Sequence, residues 1–235
     1  MFNINRRHYS PPLLAYQYLK RLAKIIKMSS LRLNPTIWAL TISDIFSWGL
    51  YFATTSLVGV YLSRQLGVNA LEIIGIGGAF GLIVRALTQI PLGILADKIF
   101  GSNDEISMLV LGNILMGVPF LVYPDLQSAF PYYLLQIVFG LGAACNLVNW
   151  RKLFAKALNK DGEGSAYAMY DCVLSLCTAL YTAAAGILAN NGPEVHALVI
   201  RITGVIILGS IIGPLLIFWQ RKNHRFTVEN RHYVD

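Results

Sequence analysis

Six stretches of the chain are apolar for long enough to cross a bilayer, and each is closed off by proline, glycine or charged residues. They cover 37–62, 71–92, 106–123, 129–150, 165–189 and 197–219. A spanning helix needs about 20 mostly apolar residues. The runs are continuous rather than alternating with period two, which selects helices over barrel strands. The expected fold class is an all-α membrane protein with six transmembrane helices, called here spans one to six. The expected domains are a basic N-terminal segment at 1–36, the six-helix domain at 37–220 and a basic tail at 221–235.

Composition agrees with lipid as the main solvent. Hydrophobic residues make up 55% of the chain and charged residues 13%, whereas a water-covered domain carries about 25% charged residues. The net charge of +7 raises nucleic acid as a partner, but the charge is distributed in blocks between apolar runs, which fits anionic headgroups instead. Of the lysines and arginines, sixteen lie before span one, between spans two and three, between four and five, and after six. The connectors on the other side hold only Arg64. This bias places both termini and the even-numbered loops in the cytoplasm. The expected location is the inner or plasma membrane of a cell.

The N-terminal stretch 13–28, LLAYQYLKRLAKIIKM, spaces apolar and basic residues as an interfacial helix on the inner leaflet does. No acidic residue precedes Asp44, so an organellar transit peptide is the rival reading, and a start at Met28 is a third. Cys145, Cys172 and Cys177 all fall within apolar runs and read as free thiols rather than a disulfide framework.

An ionisable side chain in hydrocarbon costs at least about 2.5 kcal/mol, so each one needs a reason. Asp44, Arg85 and Asp171 sit six or seven residues from the inner ends of spans one, two and five. At the helical rise all three lie roughly 10 Å inside the cytoplasmic boundary. They form either a charged pathway or coupling site, or a static ion pair. Arg201, near the outer end of span six, reads as a snorkelling side chain. Asn113, Gln136, Asn146 and Asn149 are candidates to line a cavity or to join helices by hydrogen bonds. Gly77 and Gly81, and Gly209 and Gly213 before Pro214, have the spacing of close helix contacts. Trp38, Trp150, Trp219 and Tyr123 sit at span ends, where interface anchors stand. The sequence holds no HExxH, GxSxG, Walker loop or CxxC. No enzymatic role, cofactor or metal is expected, and His196 reads as a solvated residue of an outer loop.

Between spans two and three the sequence reads PLGILADK, ending at Lys98. Gly93, Asp97 and Lys98 match G-x-x-x-D-[R/K], and span four carries Gln136-Ile-Val-Phe-Gly-Leu-Gly. In these motifs and their places the chain resembles the major facilitator superfamily. The departures are specific. Gly101 comes one residue late, Ser102, Asn103 and Asp104 stand where basic residues are usual, and Gln136 replaces an arginine. Span five holds only Gly186 where that family's antiporters carry a glycine-proline pattern. These departures look more like the family's C-terminal half.

Family members have about twelve spans, built as two six-helix halves. The resemblance implies a single six-helix half moving a small solute by alternating access, with protons as the candidate coupling ion. It implies a second bundle, either another copy or a separate half. It also implies a cytoplasmic gate at Gly93, Asp97 and Lys98. The rival readings are a non-transporting scaffold or assembly subunit, and a fragment of a twelve-span transporter.

Overall fold

The computed structural model describes residues 34–98, 102–158 and 163–231. The interfacial helix expected at 13–28 and the late Gly101 lie outside those residues. All regular structure among the described residues is helical, and six helices have the length and composition to cross a membrane.

Span one begins at Pro35, where the missing N–H falls among groups that have no helical partner anyway. The Asn34 side chain accepts from the Thr36 amide at 3.0 Å and caps the helix. Helix Pro35–Asp44 runs through a π-helical turn, Ile45–Gly49, into helix Leu50–Gln65. Spans two to five are Ala70–Lys98, Ser102–Val122, Ala129–Ala157 and Glu163–Ala189. Span six is two helices, Pro193–Gly209 and Ile212–Arg231, separated at Ser210 and Ile211. Pro214 lies in the first turn of the second piece, where a helix tolerates it. That helix continues through most of the segment read above as a tail.

Span four is the central rod, packed mainly against spans two and three, and span three packs in turn on span six. Glycines set these distances. A Cβ on Gly112 of span three would lie 2.6 Å from the Asn146 amide nitrogen, and one on Gly142 of span four would lie 2.7 Å from Leu115 Cβ. Gly117 and Gly204 face one another between spans three and six in the same way, and Gly81 and Gly140 do so between spans two and four. Of the spaced pairs in the sequence, Gly77 and Gly81 both press on span four, at Tyr132 and Gln136. Gly213 meets Ala39 and Ser43 of span one, while Gly209 meets nothing.

Two expectations about span ends are corrected by this packing. Trp38 and Trp219 are exposed as anchors should be, but Trp150 and Tyr123 are buried, because they sit on or beside the central rod. The three cysteines are free, and Cys172, which its apolar run suggests is buried, is exposed. Spans two and five are the edges of the bundle. In their most apolar windows only 17% and 6% of residues are buried, against 56% for span one.

Candidate functional site

The three intramembrane charges come to one place. Asp44, Arg85 and Asp171 all line a cavity of about 700 Å³ walled by spans one, two, four and five, and Arg151 joins them. Asp44 is 2% exposed, at the last residue before the π turn. Such wide turns recur at functional sites because they redirect side chains. Gly49 closes the turn and lets span five approach; a Cβ there would lie 3.3 Å from Thr178 Oγ1. That approach brings Tyr170, whose hydroxyl donates to Asp44 Oδ2 at 2.7 Å. Asp44 Oδ1 has no hydrogen-bond partner among the described residues. Arg85 is half-buried and Asp171 exposed, and no ion pair joins the three charges. The static-pair reading is therefore not what the side chains adopt.

Tyr170→Phe removes the donor and leaves both Asp44 oxygens unpaired in a buried site. The expected cost is about 1–3 kcal/mol of stability, read as a lower thermal midpoint in a fixed detergent. An unchanged midpoint would show that the phenol is dispensable there.

A second cavity, of about 220 Å³, lies between spans one to four. Its walls carry Tyr51, Phe120, Tyr123, Tyr132 and Phe139, with Gln136 among them and Arg85 on its lining as well. Tyr51 stacks on Phe139 with ring centroids 4.7 Å apart, and Gln136 Nε2 donates to the Tyr123 hydroxyl at 3.1 Å.

At the basic end of the bundle, Asp97 pairs with Lys152 of span four at 3.3 Å, and Lys152 reaches Glu105 of span three at 3.2 Å. Lys156 also pairs with Glu105, and Lys152 donates to the Ala96 carbonyl. Three helix ends are tied by one network. Glu105 is buried within it and Asp97 is largely exposed. Lys152 and Lys156, four residues apart, share a helix face. Lys98 is exposed and in no ion pair among the described residues, and a Cβ on Gly93 would meet nothing within 4 Å.

The sequence model of the Major Facilitator Superfamily matches residues 37–232. The chain belongs to the Major Facilitator Superfamily. Neither the curated proteins nor the solved structures searched contain a match. Members of this superfamily are transporters rather than enzymes, and this chain is a multi-pass membrane protein of transporter type with the six helices of one half-domain.

Two of the remaining asparagines of this facilitator chain, Asn113 and Asn146, hold helices together. Trp48 Nε1 donates to Asn146 Oδ1 at 2.8 Å, and Asn146 Nδ2 donates to Asn113 Oδ1 at 2.7 Å. Asn113 Nδ2 then reaches Ser43 Oγ at 3.4 Å, and Ser43 Oγ donates to the Ser210 carbonyl at 3.0 Å. Spans one, four, three and six are thus strung on one buried chain. Asn149 donates to the carbonyl of Cys145, one turn back, at 2.8 Å. Gln136 is the one of these four candidates on the lining of a described cavity.

At the end opposite the basic network, Arg201 donates to Asp125 at 2.5 Å, so it has a partner as well as access to water. His196 is buried, contrary to the solvated reading. Pro193 starts the helix early enough to carry His196 inward, where Nε2 meets the Leu57 carbonyl at 2.9 Å. No group of three or more His, Cys, Asp or Glu among the described residues is placed to hold a metal ion. Sequence reasoning missed Glu105, which stands beside Asp104 in a first helical turn and looks like an ordinary solvated dipole partner.

Proposed function

We propose that this facilitator chain moves a small solute across the membrane by alternating access, working with a second six-helix bundle, with both termini in the cytoplasm. The observation that carries the reading is Asp171. It is exposed on span five, roughly 10 Å inside the boundary by helical rise. A carboxylate facing hydrocarbon at that depth is strongly disfavoured. Its face must therefore look onto water or onto another protein wall. Arg85 lines the same cavity from span two, and spans two and five are the least covered of the six. A second copy of this chain, or a separate bundle, set against those spans would close the cavity into a pathway.

In this reading Asp97, with Gly93 and Lys98, forms the cytoplasmic gate. Asp44, Arg85 and Asp171 form the charged pathway, and protons are the candidate coupling ion. Asp97 supports its part by joining span two to the Lys152–Glu105 network across three helix ends.

Crosslinking in native membranes, followed by mass measurement of the detergent-extracted product, tests the assembly. The expected product is a unit of two six-span bundles. Solute uptake by vesicles in which every unit is a single bundle would remove the two-bundle reading.

A further inference from the structure

Arg85 is half-buried, and its guanidinium has no ion-pair or hydrogen-bond partner among the described residues. It lines the smaller cavity as well as the larger one, and in the smaller it is the only charged side chain among the described residues. An unpaired charge beside a low-dielectric pocket favours an anion as its occupant. The rest of that pocket is mostly aromatic. Tyr51 stacks on Phe139, and the Phe120 ring stands edge-on to both Tyr51 and Tyr123. Gly78 lies on the lining where a Cβ would meet nothing within 4 Å, while Gly81 and Gly140 let spans two and four close together at the wall.

Size narrows the class. An apolar cavity of about 150 Å³ holds one benzene. The 220 Å³ here takes one ring and a short acidic group. An aromatic box alone would also suit an organic cation, but Arg85 at its edge repels one. Within the smaller cavity Arg85 can neutralise one negative charge; the larger cavity beyond it carries Asp44, Asp171 and Arg151.

We propose that the cavity between spans one and four binds a small aromatic monoanion, a single-ring carboxylate. Its carboxylate is held by Arg85, and its ring lies among Tyr51, Phe120, Tyr132 and Phe139. Arginine grips a carboxylate through two parallel bonds, which fixes orientation as well as charge. The assignment rests on the transport reading and names its substrate class.

Equilibrium dialysis of radiolabelled benzoate against the complex purified from its native membrane into lipid nanodiscs tests the site. Saturable binding is expected. Benzamide, the neutral isostere, should compete about tenfold less well, and benzyltrimethylammonium and acetate should not compete at all. Arg85→Gln should weaken binding about tenfold or more, with Arg85→Lys recovering part of it. Phe139→Leu should weaken it while leaving the preference for the acid intact. If the arginine variants do not fold, the ligand series on the unaltered protein decides. Absence of saturable benzoate binding, equal competition by benzyltrimethylammonium, or full affinity in a folded Arg85→Gln would each overturn the assignment. Uptake in proteoliposomes separates the two claims. Binding without uptake removes transport and leaves the site. Uptake of another solute with no benzoate binding removes the site and leaves transport.

Discussion

Gly112→Leu is expected to yield almost no folded protein. A Cβ at that position would lie 2.6 Å from the Asn146 amide nitrogen and 2.9 Å from the Gly142 carbonyl oxygen. Both are backbone atoms of span four, so no side-chain rotation relieves the clash. Spans three and four would have to move apart, and they form one of the two largest helix contacts in the bundle. The separation would also pull at the Asn146–Asn113 hydrogen bond. Overpacking a side chain into a close-packed interior costs about 1–3 kcal/mol where neighbours can yield. Here they cannot, and a whole protein has only about 5–15 kcal/mol to lose. The measurement is the yield of monodisperse protein after detergent extraction, expected to drop about tenfold or more. Gly75→Ala is the control, because a Cβ there meets nothing within 4 Å. Equal yields from the two variants would mean that spans three and four do not touch as described.

Asp97→Asn is expected to abolish transport while leaving the folded protein intact. The Asp97 side chain is 79% exposed, and an exposed ion pair contributes about 0–1 kcal/mol. Lys152 keeps Glu105 and the Ala96 carbonyl when Asp97 loses its charge. Thermal stability should therefore barely move. The connection lost is the charged one between the end of span two and the other two helix ends, and in the gate reading it must form and break in each cycle. Uptake of a carried solute by proteoliposomes should fall to the level of protein-free vesicles. Normal uptake in a stable Asp97→Asn protein would remove the gate assignment.

The spans were legible because nothing but lipid requires 20-residue apolar runs closed by charges. The meeting of Asp44, Arg85 and Asp171 was legible too, from their equal depth, since helices crossing one slab bring equal depths to one level. Azimuth was not legible. Depth says nothing about which way a helix faces, so Tyr123 and Trp150 looked like interface anchors when they belong to the interior. The same gap hid the aromatic cavity, whose rings come from spans one to four at widely separated positions. Glu105 was missed and His196 misplaced for a different reason. Each stands in the first turn of a helix, where a polar residue is usually wet, and only the tertiary packing takes it inside.

The π turn in span one carries a consequence for its length. Asp44 before the turn, Trp48 within it and Phe52 beyond it address the larger cavity; Tyr51, Thr55 and Val58, also beyond it, address the smaller one. A π turn holds one residue more than an α turn would. Losing a single residue between 45 and 49 would remove the surplus and leave an unbroken α-helix in nearly the same phase, whereas a second residue lost there would swing everything past it by about 100°. Tyr51 would then leave its stack on Phe139 although no residue of the aromatic cavity had changed. The irregularity thus gives the helix one residue of slack, and the chain can tolerate a first deletion there more readily than a second.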